Sequence, residues 1–160
     1  MICVIQRINS ATVYADGNLS GSAGRGLYIL VGVLNGDSLE DADVLAEKIS
    51  KLRIFSDENG KMNLSVKDID GEALVVSNFT LGANYAHGNR PDYLDSAKPE
   101  IAKTLYEHFI MRMCERVRKC ECGVFGADMR TEMSTDGPVT IVMDSKKLLK
   151  NKNSKGGSLV

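Results

Sequence analysis

The run Leu27-Tyr28-Ile29-Leu30-Val31-Gly32-Val33-Leu34 carries more information about the fold than any other stretch of the chain. It has the length of a strand, and no polar residue interrupts it. A short, unbroken apolar run of this kind suits a strand covered on both faces. The elements around it must supply those covers. Upstream, residues 2–8 alternate around Arg7 and predict a strand, with a second short strand at Thr12–Ala15. Asp16-Gly17 is a strong turn pair, so the opening predicts a β-hairpin or meander, and a glycine-rich stretch from Gly21 to Gly26 leads into the central run.

Downstream, Asn35-Gly36-Asp37 breaks the run, and Ser38 with Asp41 resembles a capping box in which Asp replaces the usual Glu or Gln. Ala42, Leu45, Ile49 and Leu52 recur at helical spacing and predict a helix of about four turns. Asp57-Glu58-Asn59-Gly60 marks a hairpin turn, and residues 72–81 predict the next strand. Gly82 to Ser96 has the composition of a loop. A second helix is expected from about Pro99, with Ile101, Leu105, Phe109 and Met113 on its apolar side. Residues 121–145 predict two strands around the turn Thr135-Asp136-Gly137-Pro138, the second being Val139–Met143. The order β-β-β-α-β-β-α-β-β is a mixed α/β arrangement, rich in antiparallel pairs, with two helices.

The length of 160 residues suits one domain, placed at residues 1–145, followed by a basic tail at 146–160 expected to be partly disordered. A formal net charge of −1 gives no global electrostatic case for nucleic-acid binding, so any RNA contact must come from local patches. No segment approaches the ~20 apolar residues needed to span a bilayer, and a cytoplasmic location is the expectation. Cys3, Cys114, Cys120 and Cys122 are expected as free, mostly buried thiols. Cys120 and Cys122 have one residue between them, and His87 and His108 show no ligand spacing to the thiols, so neither a metal nor a cofactor is expected.

Several common catalytic patterns are missing. Gly21-Ser22-Ala23-Gly24-Arg25-Gly26 lacks the Lys-Ser/Thr ending of a phosphate-binding loop and leads into a strand, and there is no G-x-S-x-G elbow. Glu40, Asp41 and Asp43 cluster at a helix start, where they favour the dipole. Two segments stand out. Polar side chains in Ser77-Asn78-Phe79-Thr80-Leu81 interrupt an apolar strand at its end, which asks for partners or a ligand, or else marks a strand meeting solvent. Gly137-Pro138 between two strands is either an ordinary β-turn or a tight turn with a cis peptide.

Together these segments resemble the two signature motifs of the D-aminoacyl-tRNA deacylase family. Ser77-Asn78-Phe79-Thr80 is similar to its S-Q-x-T, and Thr135-Asp136-Gly137-Pro138-Val139-Thr140 to its N-x-G-P-x-T. Val4-Ile5-Gln6-Arg7, Gly88-Asn89-Arg90-Pro91 and Phe125-Gly126-Ala127-Asp128-Met129 add matches in order along residues 1 to about 145. Two positions depart from the pattern. Asn78 stands where Gln is usual, and Thr135 where Asn is usual. A related deacylase group that tolerates L-alanine also carries Thr at the second position. Its first motif begins with Pro and has Ala in place of Phe, whereas Ser77 and Phe79 follow the D-specific form.

The resemblance implies a two-layer α/β fold with curved sheets and a homodimer that cleaves the ester between a D-amino acid and the 3′-terminal adenosine of tRNA. It implies a Gly-cisPro loop of one subunit entering the pocket of the other, with Arg7 supporting that loop. The loop is expected to reject L-amino acids, and achiral glycine to escape it and be cleaved as well. Ser77, Asn78, Met129, Gly137, Pro138 and Thr140 are then the expected substrate-binding residues, and Phe79 and Thr80 the catalytic ones. An aminoacyl ester is already activated, so orientation and oxyanion stabilisation by the Phe79 and Thr80 N–H groups could lower the barrier without a triad. Thr80 as a nucleophile would need an adjacent base, and the sequence offers none. Expected tRNA contacts are Arg112, Arg116, Arg118 and Lys119 with the lysine tail, beside the alternative of a solvated helix face. Thr135 suggests a relaxed deacylase acting on glycine or L-alanine, and Asn78 a non-catalytic tRNA-binding homologue, as the rival functions.

Overall fold

A computed structural model describes residues 1–155, and of residues 152–155 the backbone only. Strand β1 (Ile2–Ala15) is a single 14-residue strand where two short ones were expected. The Asp16-Gly17 turn follows, with both residues at positive φ (49° and 82°), as a tight two-residue hairpin requires. It returns the chain as β2 (Asn18–Ala23), with Ala15 paired to Asn18. The central run becomes β3 (Gly26–Gly32), antiparallel to the first half of β1.

Helix α1 (Leu39–Ser50) begins where the capping pattern predicts: the Asp41 carboxylate accepts from the Ser38 N–H (2.8 Å) and hydroxyl (3.0 Å). The turn at Asp57–Gly60 joins the short strands β4 (Phe55–Ser56) and β5 (Met62–Leu64), and Asp57 Oδ1 accepts from two N–H groups across it. Strand β6 (Glu72–Ser77) lies parallel to β3. It stops at Ser77, four residues short of expectation, because a 3-10 turn over Phe79–Gly82 takes over. Helix α2 (Pro99–Cys114) carries its proline in the first turn, and β7 (Lys119–Cys122) adds to β6 in parallel.

Residues 129–144 overturn the expected pair of strands around Thr135–Pro138. They form one strand, β8 (Met129–Asp144), antiparallel to β1 along its whole length, from Ile2 opposite Asp144 to Ala15 opposite Met129. Gly137-Pro138, whose peptide is cis, sits inside this strand, where the register shifts between Gln6 and Ile8 and again between Ile8 and Ser10. The turn chemistry therefore makes a bulge instead of a reversal, since β1 continues alongside and holds both flanks. The chain then enters a third helix, α3 (Ser145–Lys155), within the stretch expected as a partly disordered tail. Residues 156–160 of that expectation lie outside the described residues.

The sheet order β2-β1-β3-β6-β7, with β8 on the other side of β1, is strongly curled. Its far strands meet through Ser20 Oγ donating to Cys122 O (3.1 Å) and Ser22 N–H donating to Glu121 Oε2 (2.6 Å). Gly21 permits the approach, because a Cβ there would lie 2.9 Å from Cys122 O. Alternation along β3 and β6 then feeds two cores. Leu27, Ile29, Val31, Ala73 and Val75 pack against α1 and α2, while Tyr28, Leu74 and Val76 fill the curl with Ile8 and Val13. The central run is thus buried on both faces, as its composition demands. Of the four thiols only Cys3 is fully buried; Cys114, at the end of α2, is exposed, contrary to expectation. Among the described residues no helix is long and apolar enough to cross a membrane.

Candidate active site

Where β6 ends, its backbone must leave the sheet, and the side chains at that point decide how. Asn78 is extended (φ −146°, ψ 92°), and its Oδ1 accepts from the Thr80 N–H (3.2 Å) and from the Thr80 hydroxyl. This short-range competition between side chain and ladder is what Asn does well. The Leu81 N–H closes the turn onto Asn78 O (3.3 Å). Gly32 makes room beside it: a Cβ there would meet Leu81 Cβ at 2.7 Å.

The turn borders a cavity of about 580 Å³. Val31 and Val33 form one wall, Ser77, Asn78 and Phe79 a second, and Tyr93, Ser96 and Lys98 a third. Pro99, Ala102 and Tyr106 of α2 cover it, and Phe125, Ala127 and Met129 close the far side. Among the described residues no carboxylate and no histidine lines it, and Lys98 is the one charged residue of the lining. Tyr106 ties α2 to β6, its buried hydroxyl donating to Val75 O (3.0 Å), and burial pushes its phenol well above the usual range. Phe79 is 60% exposed although apolar, and its ring meets that of Tyr93 edge to face, 5.0 Å between centroids. Ser96 Oγ donates to Phe79 O (2.8 Å).

Of the residues singled out in the sequence, the fold brings Ser77, Asn78, Phe79 and Met129 together on this cavity. Thr80 is exposed, borders the cavity only through the turn, and spends its hydroxyl on Asn78. Gly137, Pro138 and Thr140 lie on β8 and are not part of the lining. Arg7 is nearly buried, and its guanidinium donates to Ile54 O (2.6 Å) and Asp136 O (3.2 Å) and pairs with the Asp136 carboxylate (3.0 Å). It thus holds the residue just ahead of Gly137-Pro138.

The expected tRNA contacts fall elsewhere. Arg112 and Arg116 sit at the far end of α2, about 20 Å along the helix from Pro99. Arg112 pairs with Asp43 and Glu115, Arg116 with Glu115, Arg118 with Glu72, and Lys119 with Glu121. Sequence reasoning missed Tyr93, Ser96 and Lys98, which lie in or just after a loop chosen for its lack of apolar anchors. The signal was an aromatic residue in that loop, just ahead of the helix-starting Pro99.

A cavity of this size, with mostly apolar walls and a few polar side chains from a strand end, suits a small substrate that is bound and oriented there. The comparisons agree. The family model for D-Tyr-tRNA(Tyr) deacylase matches residues 4–144. A D-aminoacyl-tRNA deacylase of Caldicellulosiruptor saccharolyticus is 51% identical over 148 residues, 92% of this chain and 99% of the relative. One of Persephonella marina is 52% identical, over 92% of this chain and all of its own length. Among solved structures, a c-Myc DNA unwinding element binding protein superposes with a TM-score of 0.84 at 35% identity, covering 90% of this chain and 98% of its own. A probable eukaryotic D-amino acid tRNA deacylase, at 15% identity and a TM-score of 0.77, shares the fold. The chain is an enzyme of the class that hydrolyses aminoacyl-tRNA esters. It belongs to the D-Tyr-tRNA(Tyr) deacylase family.

Proposed function

We propose that the chain hydrolyses the ester joining a D-amino acid, and also glycine, to the 3′-terminal adenosine of tRNA, as a homodimer in which the Gly137-Pro138 bulge of one copy enters the cavity of the other. The observation that carries this reading is the separation of the two motifs: Ser77–Phe79 line the cavity, whereas Gly137 and Pro138 stand exposed on β8, outside the cavity of their own chain. Among the described residues β8 pairs only with β1, so its other edge is open, and Val142 on it is 68% exposed. A long open edge of this kind invites a second chain.

The chemistry follows from what the cavity offers. Water attacks the ester carbonyl while the Phe79 N–H donates to the oxyanion. The acyl C–O bond then breaks, and the 3′-oxygen leaves as a hydroxyl, taking the proton that the attacking water gives up by way of the ribose 2′-hydroxyl. The Thr80 N–H is already held by Asn78 Oδ1, which makes Phe79 the stronger candidate of the two. One such donor is worth about 2.7–4 kcal/mol in comparable sites. Thr80 keeps a supporting role, because its hydroxyl already donates to Asn78 Oδ1, and a threonine nucleophile would need an adjacent base.

Chirality is sorted by main-chain atoms. A selector that accepts many side chains must hold the α-amino group and leave no room for Cβ on the L side. Carbonyls of the Gly137-Pro138 segment do this irrespective of residue type, and Gly137, at φ 135°, has the backbone that lets them approach. Arg7 anchors the segment through Asp136. Thr140, two residues beyond Pro138 on β8, binds substrate alongside the segment. For the tRNA body, Arg112, Arg116 and Lys119 offer little free charge because each carries an acidic partner, and Lys98 at the cavity wall is the better-placed cation.

Parallel hydrolysis of D-Tyr-, L-Tyr-, Gly- and L-Ala-tRNA tests the proposal. D-Tyr- and Gly-tRNA are cleaved and L-Tyr-tRNA is spared. Equal rates on the two tyrosyl enantiomers would dispose of the chiral filter, cleavage of L-Ala-tRNA would favour the relaxed reading suggested by Thr135, and inactivity on all four would leave a binding protein.

A further inference from the structure

The peptide unit that joins Phe79 to Thr80 is held at both ends by side chains. Its N–H donates to Asn78 Oδ1 (3.2 Å), and its C=O accepts from Ser96 Oγ (2.8 Å). The preceding unit is held as well, since Asn78 O accepts from the Leu81 N–H (3.3 Å). A peptide unit is planar, so fixing the two units that flank Phe79 fixes both of its soft dihedrals and with them the direction of its N–H.

Ser96 is a rigid post for this purpose. The segment that carries it is pinned to the loop after β3: Asn35 N–H donates to Asp95 O (2.9 Å), Ala97 N–H to Val33 O (3.0 Å), and the Asn35 side chain to Leu94 O (2.8 Å). Gly82 gives the hydroxyl its space, because a Cβ there would lie 2.5 Å from Ser96 Oγ. Tyr93, three residues earlier, steadies the Phe79 ring. The other half of the clamp depends on Asn78 being one methylene shorter than glutamine. An Asn side chain reaches the N–H two residues on, closing an Asx turn, and Gln is not built for that ring.

We infer that Ser96 is a positioning residue for ester cleavage, acting with Asn78 to clamp the Phe79–Thr80 peptide and so hold the Phe79 N–H where the oxyanion develops. The inference rests on the deacylase reading of the same cavity. Ser96 acts through Phe79, to whose carbonyl its hydroxyl is committed.

Ser96→Ala and Ser96→Thr are the variants, and D-Tyr-tRNA hydrolysis and amide hydrogen exchange at Thr80 are the readouts. Ser96→Ala lowers kcat about tenfold with KM within about twofold, as loss of orientation should, and it speeds exchange at Thr80. Ser96→Thr, which keeps the hydroxyl, returns both towards the parent. A parental kcat and exchange rate in Ser96→Ala would overturn the inference. So would a fall in kcat accompanied by a comparable rise in KM and a loss of thermal stability, the mark of a merely structural serine. A parent protein inactive on D-Tyr-tRNA would remove the deacylase reading and this inference with it, whereas an active parent with an indifferent Ser96→Ala removes this inference alone.

Discussion

At the residue scale the central question is which N–H receives the oxyanion, and one substitution isolates it. Phe79 is the first residue of the 3-10 turn, and Asn78 before it is extended at φ −146°, ψ 92°. Proline fits the first position of such a turn and demands an extended predecessor, so Phe79→Pro can be accommodated while deleting the N–H. Phe79→Ala removes the ring and keeps the N–H. The expected outcome is a kcat for D-Tyr-tRNA about 100- to 1,000-fold lower in Phe79→Pro, the usual cost of one oxyanion donor, and a clearly smaller loss in Phe79→Ala. Single-turnover kinetics on both variants measure this, and equal losses would move the oxyanion donor elsewhere. The site was partly legible at this scale. Ser77 and Asn78 announced themselves, with Phe79 beside them, as polar interruptions of an apolar strand, whereas Ser96 and Lys98 could not, because a serine and a lysine beside a loop look the same whether or not a cavity forms there.

Elements were legible wherever a local signal sufficed. The Asp16-Gly17 hairpin, the Ser38–Asp41 start of α1 and the Pro99 start of α2 each depend on residues within a turn of one another. The misreadings arose where distant pairing decides. Asp-Gly-Pro has the same local chemistry in a reversal and in a bulge, and only the alignment of β8 with β1 makes it a bulge. Helix α3 is poor in apolar residues and lysine-rich. It folds because its first turn docks on α1, with Ser145 Oγ donating to Asp41 Oδ1 (2.7 Å), Lys146 Nζ to the same oxygen (2.8 Å), and Leu148 packed on the core. Burial alone would raise the Asp41 pKa, but the bonds from Lys146, Ser145 and Ser38 outweigh it, and the carboxyl titrates at about 2 against an ordinary 3.8. A folded pKa below the unfolded one gives stability that is complete above about pH 5 and is lost as pH falls through 4 towards 2, on the order of 2 kcal/mol in all. Urea unfolding of the parent between pH 6 and 2.5 should therefore show a steeper loss than Asp41→Asn, which has no such carboxyl to protonate. Parallel slopes would mean that the α1–α3 junction does not carry this linkage.

At the scale of the whole molecule, the curled sheet puts the cavity at the end of β6 and the Gly137-Pro138 bulge on β8, at the other side of the sheet, so one chain does not bring its two motifs together. Whether the bulge serves a second copy can be read by mixing two variants with separate defects. Phe79→Pro spoils the site and leaves the bulge intact. Pro138→Ala loosens the bulge and leaves the site intact, and on its own it should gain cleavage of L-Tyr-tRNA. In a mixed dimer, the intact site of the Pro138→Ala subunit receives the normal bulge of its neighbour and regains discrimination, while the other site carries both defects and is silent. Random 1:1 assembly puts about half of the Pro138→Ala subunits into mixed dimers, as expected for a twofold interface in which each copy contributes the same patch. L-Tyr-tRNA cleavage per Pro138→Ala subunit should therefore fall to about half, and further as Phe79→Pro is added in excess, while D-Tyr-tRNA cleavage per intact site holds steady. A bulge acting within its own chain predicts no change in L-Tyr-tRNA cleavage at any mixing ratio, because each Pro138→Ala site would keep its own loosened loop.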